Sequence, residues 1–175
     1  MNIENCHKYI NLAKQANVKV SSNFLRMKLD CTKKGQKICQ GRCCKGHHNE
    51  INLNKVYVKY SDEEWKHIPN NIKKQIEPHL NKDKVVQNKD NICMLKDFCL
   101  KNPKYKPIEC KLYPLTFTKD GLLILDNWAK LHCPNYKKGN LSIYKALKKD
   151  LIDIFGKKTY REIVKQCEGD LKKWM

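Results

Sequence analysis

Cys39, Cys43 and Cys44 stand within six residues, CQGRCC, and His47 and His48 follow closely. Thiolate and imidazole are the ligands that zinc and iron–sulfur clusters prefer. A disulfide framework or a reactive thiol uses the same residue types, so the other cysteines have to decide. The chain has ten. Cys6 shares a helical stripe with Ile3, Ile10 and Ala13, and Cys167 shares one with Ile163, so both read as small core residues. Cys31 sits in the polar stretch CTKKGQK and is an outer candidate. The seven that remain are Cys39, Cys43, Cys44, Cys93, Cys99, Cys110 and Cys133. Each lies in or beside an expected turn or next to proline, where irregular backbone lets several thiolates converge. These seven are the candidate metal ligands; His47, His48 and His132 are further candidates, with second-shell donation or solvent exposure as their alternatives.

The adjacent pair narrows the chemistry. Successive side chains on an extended backbone point to opposite sides, so Cys43 and Cys44 do not readily share one tetrahedral zinc. They suit two neighbouring metal ions or a cluster with more than one iron, or else one ligates and the other packs. No paired C-x2-C of a zinc ribbon and no C-x2-C-x2-C run of a ferredoxin occurs. HExxH, a Gly-rich phosphate loop and a serine elbow are absent too. Seven thiols exceed the four of a single tetrahedral site, which tilts the expected cofactor toward an iron–sulfur cluster over zinc. No catalytic residue, substrate or reaction follows from these residues.

The elements that must position the thiols are short. Residues 2–17 are expected to be helical, and 50–61 (EINLNKVYVKYS) extended. Ser61 and Glu64 form a capping box for a helix carrying Trp65; Pro69 interrupts it, and 70–80 is a second helical stretch. VVQ–NKDN–ICML and LTFT–KDG–LLIL read as hairpins. Ile143, Leu147, Leu151, Ile154 and Phe155 make a stripe ended by Gly156, after which Thr159 and Glu162 form a second capping box. The expected class is α+β: an irregular cysteine-rich metal-binding core with short hairpins, flanked by N- and C-terminal helices. The expected divisions are 1–30, a helical segment, 31–136, the cysteine-cluster domain, and 137–175, a helical pair packed on that domain.

Charge and compartment bear on partners. The formal charge is +18, almost all of it lysine; only Arg26, Arg42 and Arg161 are arginine. Such a charge suits a nucleic acid or an acidic protein, or is simply a solvated lysine coat. Tyr57, Tyr60, Trp65 and Tyr105 lie among lysines, so a zinc-stabilised nucleic-acid-binding module is the alternative function. Scarce arginine weighs against it. A thiol redox or metal-transfer role, with Arg42 and Lys45 lowering a thiolate pKa, is a third. No secretory apolar core shows in MNIENCHKYINLAKQ, and the longest aliphatic run, Leu122 to Leu125, is too short to span a bilayer. A reducing, cytoplasmic setting without a membrane partner is therefore expected, where clustered cysteines stay thiols.

In order along the chain stand C-x3-CC (39–44), NICML (91–95), C-x10-CKLYP (99–114) with Lys106-Pro107, and Cys133-Pro134. This order resembles the YkgJ-like cysteine-cluster family of zinc- or iron-chelating domains over roughly residues 31–136. Lysine stands at 106 and 111 where that family tends to have arginine, and the closer C-x-x-C-G-x-CC spacing is missing from the first motif. The resemblance implies metal binding through clustered thiolates and no particular reaction.

Overall fold

The structure, a computed structural model, describes residues 18–21, 28–29, 58–89, 92–118, 120–125, 133, 137 and 139–172. It is mixed helix and strand, with short sheets and mostly short helices. Two compact units divide the chain: residues 41–111 form one, and 1–40 with 112–175 the other.

In the unit 41–111, Val58–Tyr60 is extended and bridges to Val85 through Lys59, with the Val86 N–H donating to the Val58 carbonyl at 2.8 Å. Ser61 then caps the helix Asp62–Lys66 with the expected capping box. Three acidic residues in its first turn face the positive end of the helix dipole. Pro69 has no N–H to continue the ladder, so a new helix, Asn70–Ile76, starts behind it and tightens into a 3-10 turn over Glu77–His79. The first hairpin is displaced from the expected one: Asn88–Lys89, read as part of its turn, pairs antiparallel with Ile92–Cys93, while Val85 and Val86 of the expected strand bridge to Lys59 and Leu80. Two short helices follow, Lys96–Lys101 and Ile108–Leu112, separated by a 3-10 turn at Pro103–Tyr105. The core of this unit is Val58, Tyr60, Ile68, Ile76, Val86, Cys93, Leu95 and Cys99.

In the other unit, Leu115–Phe117 and Leu122–Leu125 form the second expected hairpin, turning at Gly121 with φ 77°. Lys19–Val20 adds to it in parallel, beside Leu122–Leu123. On its other side this strand is held by Gln166: the side-chain amide donates to the Val18 carbonyl at 2.5 Å and accepts from the Val20 N–H at 2.9 Å. One carboxamide thus supplies the donor and acceptor that a neighbouring strand would supply. Lys28–Leu29 pairs antiparallel with Leu141–Ser142.

The helix Ile143–Ala146 and the long helical stretch Lys148–Lys172 bury the expected stripe, with Leu151 and Ile163 fully enclosed and Phe117 meeting Phe155 edge-on at 6.1 Å between ring centres. Gly156 breaks the long stretch, but helix resumes directly after it. Thr159 therefore lies inside the helix, and the N-cap expected there does not form. The helix expected over 2–17 and the expected strand residues before Val58 lie outside the described residues.

Gly156 has φ 83° and ψ 163°, a region open essentially to glycine alone. A Cβ built there meets nothing within 4 Å, so the cost of a side chain is confined to the backbone. Gly156→Ala is expected to lower stability by about 1–3 kcal/mol in chemical denaturation followed by helical circular dichroism. An unchanged midpoint would mean that the break does not need this conformation.

Candidate functional site

Three of the seven candidate thiols come from the unit 41–111. Cys93 ends a hairpin strand, Cys99 sits on the helix Lys96–Lys101, and Cys110 sits on the helix Ile108–Leu112. None is in a disulfide. Cys93 was expected on the return strand of a hairpin and is there; Cys99 and Cys110, expected on irregular backbone, sit on short helices instead. Leu95 and Phe98 anchor the first of the two helices to the core, and Pro107 leads into the second from a buried position.

Cys93 and Cys99 belong to the hydrophobic core, and Cys110 packs against it. The phenol of Tyr60 belongs to the same core. Its hydroxyl donates to the Tyr105 carbonyl at 2.9 Å, and its ring meets Trp65 at 5.6 Å between centres. Burial pushes the Tyr60 pKa well up; negative charge at Cys99, Cys110, Glu64 and Cys93 pushes it further.

Two carboxylates border the thiols. Glu64 accepts from the Ser61 N–H at 2.8 Å and Ser61 hydroxyl at 2.9 Å through Oε2, and from the Ile108 N–H at 2.6 Å through Oε1. Glu109, beside Cys110 in the chain, accepts a long 3.4 Å bond from the Lys59 N–H. Burial raises the Glu109 pKa to about 8; the Glu64 charge adds to the rise, and Lys59 opposes it through its amide and its charge. Negative charge is therefore disfavoured at Tyr60 and at Glu109. A bound cation would reverse that, since it stabilises every anion around it.

Among the described residues, no three His, Cys, Asp or Glu side chains come together as a group that could hold a metal ion. Cys93, Cys99 and Cys110 share one core without closing on one point. Cys133 is half-buried and belongs to the other unit. Cys167 is 1% exposed within the helical core, where it was expected. Cys6, Cys31, Cys39, Cys43, Cys44, His47, His48 and His132 lie outside the described residues.

No protein-family model matches the chain, and no curated protein or solved structure does. Any functional reading therefore stands on its own residues.

Sequence reasoning missed Glu109 and the bond from Ile108 to Glu64. The glutamate immediately before Cys110 was the available signal. It misjudged Tyr60, counted among lysine-flanked aromatics able to stack on bases: Tyr60 is 1% exposed, its ring turned into the core and its hydroxyl bonded. Trp65 and Tyr105 also pack against that core, with Lys73 at 5.7 Å from the Trp65 ring centre and Lys104 at 5.5 Å from that of Tyr105. Tyr57 lies outside the described residues. No described helix is long and apolar enough to cross a membrane.

Proposed function

We propose that the chain is a metal-binding protein whose thiolates hold an iron–sulfur cluster or zinc. Cys93, Cys99 and Cys110 form the core of the ligand set, and Cys39, the CC pair at 43–44 and Cys133 are the further candidate thiolates. The observation that carries this reading is that Cys93 and Cys99 lie in one small hydrophobic core and Cys110 packs against it. Soft thiolates in an apolar setting suit both cofactors, and neither requires a carboxylate ligand. The order of the cysteines, and its resemblance to the YkgJ-like chelating domains, points the same way. Bound metal would supply either a structural cross-link that contributes folding energy or, as a cluster, one-electron chemistry.

Anaerobic purification, elemental analysis and a visible spectrum on one sample test it. Iron with acid-labile sulfide and broad brown absorption is the expected result, because the thiols outnumber those of one zinc site. Zinc with a colourless spectrum keeps the metal-binding function and makes the centre structural. Neither metal above trace level would overturn the proposal. Nucleic-acid binding would then be the reading to test, through its steep loss with added salt.

A further inference from the structure

We propose that Glu64 is a positioning residue that holds the Cys110 thiol in place. The inference rests on the reading of Cys110 as a ligand but is tested separately from it. One carboxylate joins two stretches of chain. Its Oε2 accepts from the Ser61 N–H and hydroxyl, and its Oε1 accepts from the Ile108 N–H at 2.6 Å. Ile108 is the first residue of the helix Ile108–Leu112, two residues ahead of Cys110.

A five-residue helix is far too short to be stable alone, so anchors outside it set its position. At its start, the Lys111 N–H reaches the Pro107 carbonyl at 3.0 Å. The N–H of Ile108 is one of the donors every helix leaves without an internal partner, and Glu64 takes it. A carboxylate acceptor makes that bond stronger than a neutral one. Because Cys110 lies within the same turn, any slip of this entry point carries the thiol with it. A capping residue usually serves its own helix; here the same side chain also reaches the element that carries a candidate ligand.

Glu64→Gln weakens both duties, and a second variant separates them. Its amide retains a single accepting oxygen, for which the Ser61 and Ile108 N–H groups compete. Ser61→Ala is the control, weakening only the cap. Full-length wild-type and variant chains are stripped with a chelator and exposed to iodoacetamide for timed intervals. Peptide mass spectrometry reads the labelling rate at each cysteine. Glu64→Gln is expected to raise the Cys110 rate about tenfold, the effect of one lost charge-assisted hydrogen bond on a local opening. The rates at Cys93 and Cys99 stay at wild type, and Ser61→Ala leaves Cys110 unchanged. An unchanged Cys110 rate, an equal rise at all three thiols, or an equal rise in Ser61→Ala would each overturn the proposal. If Glu64→Gln does not fold, Ile108→Pro removes the same N–H at a helix position that tolerates proline, and the same selective rise is required. Metal content of the unstripped wild-type chain decides the ligand reading independently. A chain without metal but with selective Cys110 labelling would leave Glu64 as the anchor of this helix.

Discussion

Cys110→Ser is expected to cost the chain most of its metal, while Cys167→Ser keeps the wild-type amount. Serine replaces a soft thiolate with a hydroxyl that stays protonated at neutral pH, so a ligand is lost without a change of size. Loss of a hydrogen bond that merely supports a metal ligand costs about 10–100-fold in affinity, and loss of the ligand itself should cost at least as much. Cys44→Ser should behave like Cys110→Ser, and Cys6→Ser like Cys167→Ser. Cys167 is 1% exposed on the long C-terminal helix, so its replacement buries a hydroxyl and lowers stability instead. The measurement is metal per chain on anaerobically purified protein, alongside a denaturation midpoint for each variant. Equal metal loss in all four variants would mean that the assay reads folding rather than ligation.

How far the sequence disclosed this arrangement depended on how local each signal was. The Ser61–Glu64 cap was legible because both partners lie within one helical turn and their side chains complete each other's bonds. The hairpin of Leu115–Phe117 with Leu122–Leu125 was legible for the same reason, as turn residues between two apolar runs, whereas the pairing strand Asn88–Lys89 was misread as turn because it is polar. Gly156 was legible as a break. That the helix resumes at once was not, since an S/T-x-x-E pattern caps a helix only where the preceding backbone is non-helical. The parallel pairing of Lys19–Val20 with Leu122–Leu123 left no local trace, because nothing but tertiary packing brings those segments together.

The candidate site was legible in residue type and illegible in surroundings. The order of the cysteines singled out Cys93, Cys99 and Cys110, and they do share one unit. The burial of Cys93 and Cys99 went unread because IC and FC lack the periodic length that marks an apolar face. Tyr60 shows the converse error. A tyrosine between lysine and serine reads as surface, yet the strand places Val58 and Tyr60 on one face and both are buried, while Lys59 between them is less enclosed. Two-residue alternation was the available signal, and the flanking charge obscured it. For function the consequence is direct. A buried phenol offers no stacking surface to a base; it is part of the core to which Cys93 and Cys99 belong.

Leu151→Ala is expected to destabilise the unit 1–40 with 112–175 by about 2–5 kcal/mol, the range for removing a large aliphatic side chain from a packed core. Leu151 is 0% exposed and lies on the stripe that Ile143, Leu147, Ile154 and Phe155 continue. Its N–H closes a helical turn with the Leu147 carbonyl at 2.9 Å, so the backbone is held and cannot readily collapse into the space left by the side chain. Leu100→Ala is the matched control. That leucine is also helical but is 54% exposed, and its loss should shift the midpoint by no more than about 0.5 kcal/mol. Urea denaturation followed by circular dichroism makes the comparison, and similar shifts for the two leucines would show that the helical stripe is not the core described. The pairing also sharpens the ligand test. If Leu151→Ala lowers stability strongly while its folded fraction keeps the wild-type metal ratio, metal content does not follow the stability of that unit. For Cys110, which belongs to the unit 41–111, metal loss with an unchanged denaturation midpoint then assigns the loss to the thiol.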